Sequence, residues 1–208
     1  MTLAATLKES TGEAHKKAES TDLQRLMMQG QLEDRHFASY MAQLFHMHSA
    51  IEQLMGANAG AAALIRWTAD QEHSLRLAQD LGDLGTSVDA QPLLKATEAM
   101  VGTIKSLTAE DPIALIGLFY VLEGSMNGNR YIVRALRHMP GGDRCGFRYL
   151  DPYGEEQPAK WGAFREALDS FETTEAQSEL VVRSAHAVFD GIAAICEEVM
   201  AVEAVSNA

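Results

Sequence analysis

The residues best placed to do chemistry are His15 and Glu19, four apart, and the run Tyr120-Val-Leu-Glu-Gly-Ser-Met-Asn-Gly-Asn-Arg130. On a helix, residues four apart share a face. A carboxylate at Glu19 can therefore accept from one nitrogen of the His15 imidazole, fix its tautomer and leave the other nitrogen free to bind a metal. The same spacing also describes an ordinary surface pair. In the second stretch Gly124 and Gly128 share a face, and each costs about 1 kcal/mol relative to alanine in a helix interior. Their missing side chains leave one groove, in which peptide groups can approach either a flat ligand or another helix. A lone histidine on one helix and a bared, polar-edged backbone on another are the two walls a planar metallocycle needs. One supplies an axial ligand and the other leaves room opposite it for a gas molecule.

Other chemistries find less support. The seven histidines, at 15, 36, 46, 48, 73, 138 and 186, form no HxxxH or HExxH pattern, which argues against a multi-histidine zinc or di-iron site. His46 and His48, two apart, point in different directions on a helix and read as structural. Cys145 and Cys196 form no CxxC pair, so neither a disulfide framework nor a zinc site is indicated, and neither has an evident activating partner. The net charge of -12, from 17 Lys+Arg against 29 Asp+Glu, opposes non-specific binding to nucleic acid or to an anionic membrane. There is no basic n-region with an apolar h-region at the start and no apolar run of about 18 residues. The expectation is a soluble, cytoplasmic protein with 1–208 as a single domain.

The elements that must position these residues are helices. Leu3, Leu7, Thr11 and His15 recur at i+4 and predict a first helix over 3–19, with His15 closing its inward stripe. A short apolar pattern in 21–31 breaks at Gly30, and a long helix follows over 34–55. Helices are then expected over 61–81 and 93–107. The glycine-bearing helix starts at Asp111, a capping residue, and Pro112, and ends at Pro140, about 28 residues or about 40 Å long. Its two glycines and polar cluster invite a kink near the middle. A loop over 141–158 leads to helices over 159–171, with Trp161, Phe164 and Leu168 on one face, and 175–202. The reading is an all-α bundle of about seven helices, without strands or repeats.

At this point the chain resembles the heme oxygenase family, over nearly its full length. Leu7-Lys-Glu-Ser-Thr-Gly-Glu-Ala-His15-Lys-Lys-Ala-Glu19 is similar to the proximal helix of that family, and Leu44-Phe-His-Met-His-Ser-Ala-Ile-Glu52 continues the pattern. The run from Tyr120 to Gly128 looks like the distal-helix signature of bacterial members, Tyr-Val-x-Glu-Gly-Ser-x-x-Gly. Tyr153-Gly154 with Trp161 and Phe164 matches a further bacterial run. The resemblance implies heme, both cofactor and substrate, lying between the first and fifth helices, with His15 ligating iron and Glu19 supporting it. It implies that Gly124, Ser125, Gly128 and Asn129 form the catalytic distal wall, and that Lys8, Tyr120 and Arg165 meet the propionates. The implied reaction takes heme, dioxygen and external electrons to biliverdin, carbon monoxide and iron. A ferredoxin, flavodoxin or NAD(P)H-dependent reductase would be the partner.

The chain departs from the family pattern at the distal site. Asn129 stands where a third small residue is common, Asn127 where leucine is, and Gln157-Pro158 where a Thr-Gly pair is frequent. A heme-binding carrier or sensor on the same scaffold is therefore an alternative, and a thiaminase-like enzyme a weaker one.

Overall fold

The computed structural model describes residues 2–137, 147–170 and 172–202. Nine α-helices and three 3-10 turns occur among the described residues, with no strand, as the helical periodicity predicts. The first helix, α1 (Leu3–Glu19), begins where the Thr2 hydroxyl accepts from the Ala5 N–H, a standard N-cap interaction. Leu3, Leu7 and Thr11 are buried, while His15 emerges from the end of their stripe. The short α2 (Asp22–Met28) stops just before Gly30, whose φ of 66° is the left-handed conformation glycine adopts without strain. The long α3 (Asp34–Ala57) carries the apolar positions Phe37, Tyr40, Met41, Leu44, Met47, Ile51 and Met55 into the core.

The helix expected over 61–81 is three pieces: α4 (Ala59–Leu64), a 3-10 turn at Ala69–Gln71, and α5 (Ser74–Asp83). The chain breaks at Arg66, which has φ 54° although no glycine or proline marks the place. The reason is tertiary. The Glu52 carboxylate on α3 accepts the N–H groups of His73 (2.6 Å) and Ser74 (3.0 Å) and the Ser74 hydroxyl, so it supplies the start of α5 from another helix. Beyond a further 3-10 turn, the start of α6 (Lys95–Glu110) is met in the same way by Glu198, which accepts from Lys95 and Ala96.

The glycine-bearing helix is α7 (Ala114–Arg137), one continuous helix through Gly124 and Gly128. The Asp111 carboxylate accepts the Ile113 N–H at 2.9 Å, so the expected capping residue caps. Its expected end at Pro140 lies outside the described residues, as do His138 and Cys145. Gln157-Pro158 belongs not to a loop but to the first turn of α8 (Gln157–Asp169), where proline's missing N–H costs nothing. The expected end of that helix at Phe171 is outside the described residues. The last helix, α9 (Glu175–Ala201), opens on a capping box between Thr174 and Gln177.

The longest helix, α9, is the spine of the fold: α1, α6 and α7 all pack along it. The closest approach is at Gly117 on α7, where an added Cβ would stand 2.0 Å from the Val181 carbonyl oxygen and 2.4 Å from the Ser184 hydroxyl. Ser184 in turn donates to the Ala114 carbonyl at 2.9 Å. Both α1 and α7 lean on α9 and on α8, and they touch each other far less than either touches α9, with Thr11 and Tyr120 in contact between them. No helix among the described residues is long and apolar enough to cross a membrane.

Candidate functional site

The expected proximal residues lie on α1. The side chain of His15 is half exposed, and its Nδ1 lies 3.4 Å from a Glu19 carboxylate oxygen. The ring stands edge-on to Phe189 of α9, with centroids 5.4 Å apart. A carboxylate only accepts, so this geometry places the proton on Nδ1 and leaves the Nε2 lone pair available. One turn earlier, Thr11 neighbours the phenol of Tyr120 and links α1 to α7. Burial pushes that phenol above its usual range, against the Thr11 hydrogen bond and the charge of Arg165. Lys8 and Arg165 are exposed, and the Arg165 guanidinium lies 5.8 Å from the centre of the Trp161 ring. Of the residues expected at the site, the structure pairs His15 with Glu19 on α1, and brings Arg165 of α8 near Tyr120 of α7.

The bared face of α7 is met only by the edge of one side chain from α8. A Cβ added at Gly128 would meet nothing within 4 Å, and one at Gly124 would touch only the Trp161 indole, at 3.4 Å. The close helix contact on α7 falls at Gly117, while Gly124 meets one indole edge of α8 and Gly128 is exposed. The polar side chains around it fold back onto their own helix. Ser125 donates to the Leu122 carbonyl (2.7 Å), Asn127 to the Gly124 carbonyl (3.0 Å) and Asn129 to the Met126 sulfur (3.6 Å). Backbone carbonyls of this turn thereby gain second donors, and the glycine face is kept clear of the amides.

On the buried side of α7 lies a polar cluster that sequence reasoning missed. Glu123, adjacent to Gly124 and turned about 100° from it, is 3% exposed. The Tyr153 hydroxyl donates to both of its carboxylate oxygens at 3.2 and 3.3 Å, and His73 Nε2 is 3.6 Å away. Arg76 reaches His73 Nδ1 at 3.3 Å. Guanidinium only donates, so Nδ1 accepts and Nε2 carries the proton toward Glu123. Burial pushes the Glu123 carboxyl up to about 7, against hydrogen bonds from Tyr153 and Gln71 and the charges of Lys160 and Arg76. Burial, with Arg76 beside it, holds His73 down to about 3. Between those values both groups are neutral, so their 3.6 Å approach is a dipolar contact and not an ion pair.

The cluster continues through His48, whose Nε2 lies 3.0 Å from the Tyr149 hydroxyl and whose pKa burial holds well below the usual range. His46, two residues before it, is only part-buried beside Phe45, consistent with two side chains pointing apart. Asp80 accepts the N–H groups of Arg148 and Tyr149 and the Arg148 guanidinium, anchoring the strap that bears both tyrosines. The strap then runs through Gly154, at φ 52°, into α8, so the cluster fixes where Trp161 and Arg165 stand. One signal for it was present: Glu123 is the only charged residue between Pro112 and Arg130.

Cys196 is buried beside Gln24, and burial pushes its thiol up to about 11, which removes it as a nucleophile. No group of three or more metal-binding side chains occurs among the described residues. A shallow groove of about 530 Å³ between α1 and α9, lined by Thr6, Ser10, Val182 and His186, contains none of the predicted site residues.

The family model for heme oxygenase matches residues 1–198. No curated protein matches the chain. Among solved structures, a heme oxygenase-1 from the cyanobacterium Synechocystis, in complex with heme, superposes with a TM-score of 0.84 at 20% identity, covering 99% of this chain and 96% of that one. A heme oxygenase from Leptospira interrogans gives 0.83 at 25% identity, covering 95% and 100%. A TenA homologue from P. horikoshii gives 0.73 at 14%, covering 96% and 98%.

Proposed function

The chain belongs to the heme oxygenase family, and from that premise we propose that it binds heme between α1 and α7 and cleaves it oxidatively. The products are biliverdin, carbon monoxide and ferrous iron, and the electrons come from a ferredoxin, flavodoxin or NAD(P)H-dependent reductase. Cytoplasmic activity follows from the same reading. The observation that carries the proposal is the pairing of an open glycine on one helix with an oriented histidine on the other. Gly128 bares backbone to open space, and His15, turned by Glu19, keeps Nε2 free.

The residues present fit the group. A planar tetrapyrrole needs one axial donor, a flat wall and cations at its edge, and α1, α7 and α8 offer His15, the Gly124–Gly128 face, and Lys8 with Arg165. Bound heme supplies the iron at which dioxygen is activated and the ring that is opened. Glu19 orients the His15 ring as a ligand. Lys8 and Arg165 offer charge-assisted hydrogen bonds to propionates, and Tyr120 a neutral one. Gly124 and Gly128 keep bulk away from the distal side of the ring, and Ser125 with Asn129 borders the space a gas molecule would take. Because their donors turn to α7 itself, these two shape the site more by volume than by donated hydrogen bonds.

Titration of the protein with hemin, followed by reduction in air and chromatography of the pigment, tests the reading. A one-to-one complex with a histidine-type Soret band and a verdin product are expected. A complex that remains intact or merely bleaches would leave heme binding standing and remove the oxygenase activity. His15→Ala should lose iron ligation without loss of fold, since its side chain is half exposed. An unchanged Soret band in that variant would overturn the assignment.

A further inference from the structure

The bared face of α7 is not uniform. At Gly128 an added Cβ meets nothing within 4 Å, whereas at Gly124 it meets the edge of the Trp161 six-membered ring at 3.4 Å. The notch left by Gly124 therefore already has an occupant, contributed by a third helix.

That indole is held on several sides. It stacks on Phe164 with centroids 5.6 Å apart and planes 16° from parallel, and Phe164 is itself only 4% exposed. Tyr120 lies 5.6 Å away at a 47° tilt, and the Arg165 guanidinium sits 5.8 Å from its centroid. Trp161 is nevertheless only part-buried, so some of its surface stays free for contact. A rigid aromatic plate pinned by a buried neighbour cannot yield as a lysine or arginine side chain does.

We infer that Trp161 sets the angular seat of a planar ligand bound between α1 and α7, and with it which edge of the ring meets the reactive centre. The inference rests on the heme-binding reading above. A disc fastened at its middle by one axial bond to His15 is free to turn about that bond. Only contacts at its rim choose an angle. Lys8 and Arg165 stand exposed at the ends of flexible stems and follow the ring as it turns; the indole does not. Trp161 thus blocks the rim at Gly124 and leaves room at Gly128, restricting the ring to one orientation about the His15 bond and fixing the position on the macrocycle that is attacked.

Proton NMR of the cyanide complex of the hemin-loaded full chain tests this, because the paramagnetically shifted ring-methyl signals report orientation independently of turnover. One dominant set of methyl signals is expected for the natural protein. In Trp161→Ala a second set of comparable intensity should appear, and the verdin formed on turnover should become a mixture of isomers. A single, unchanged set in Trp161→Ala overturns the inference, as do two comparable sets in the natural protein. Should the alanine variant fail to fold, Trp161→Phe decides, since it keeps the stack on Phe164 but withdraws the edge from Gly124. A changed methyl pattern supports the seat, and an unchanged one removes it. Failure of the natural protein to bind hemin at all is a different result and strikes the proposed function instead.

Discussion

Glu123 and Gly124 are neighbours in the chain and opposites in what surrounds them. Behind α7, every polar group of the Glu123 cluster is matched by another from a different element: Tyr153 from the strap, His73 from the start of α5, and Tyr149 against His48 of α3. In front of α7, the bared backbone meets one indole edge and otherwise open space. A buried polar group left unmatched costs roughly 1–3 kcal/mol, so a cluster meant only to hold helices together must close upon itself. A site for a ligand does the reverse and keeps contacts unmade until the ligand arrives. One helix here presents a closed polar face and an open bared one within a single residue step.

The sharpest way to break that contrast is to make the same substitution at two glycines of α7. Gly117→Ala forces a methyl into the Val181 carbonyl and the Ser184 hydroxyl, and should destabilise the fold by about 3 kcal/mol or more. Gly128→Ala meets nothing, and should stabilise the free protein by up to about 1 kcal/mol through helix propensity while weakening hemin binding. Thermal melts of both variants with a hemin titration of the second are the measurement. Equal destabilisation at the two sites would mean that the front face is packed after all.

A comparable effect is expected from the cluster through pH. The Glu123 carboxyl is raised from 4.5 to about 7 in the folded protein. From 4.5 to 7 the unfolded chain has lost this proton and the native one keeps it, so stability falls as pH rises through that window. The loss is complete above it and amounts to at most about 3 kcal/mol. His73 acts oppositely: held down to about 3, it adds stability above pH 6.5 that is lost as pH falls toward 3. Glu123→Gln keeps the acceptor for Tyr153 and cannot ionise. Its melting temperature at pH 8 should exceed that of the natural protein, with the difference vanishing near pH 4. A fixed difference at all pH values would show that the carboxyl is not the titrating group.

The smallest effect concerns Glu19. Both partners of the His15–Glu19 contact are more than half exposed, so Glu19→Ala should change stability by no more than about 0.5 kcal/mol. It should instead change the electronic spectrum of the hemin complex, by freeing the His15 ring to turn. A spectrum identical to that of the natural protein would reduce the pair to surface decoration.

Much of this was legible in the residues. Apolar recurrence at i+4 placed α1, α3 and α9 within a few residues of their observed ends, because those helices bury one continuous stripe. The Asp111 cap and the Gly30 stop are local chemistry and needed no partner. The expected helix over 61–81 failed because its interruption is set by Glu52, distant in sequence, and by a left-handed arginine that no local rule announces. The role of Trp161 at Gly124 was illegible for the same reason, since nothing in either stretch states that α8 returns to α7.

The amino-acid sequence by itself determined an all-helical chain, the histidine and glutamate on one face of α1, and a helix whose glycines bare one side. These are properties of periodicity and of single residues, fixed by covalent spacing along a helix. Only the tertiary structure decided that α1 and α7 both pack along α9, that Gly117 and not Gly124 or Gly128 bears the close helix contact, and that Glu123 is walled into a buried polar cluster that raises its pKa. Each depends on which surfaces of different helices come together, and burial, which sets both contact and charge, does not exist until they do.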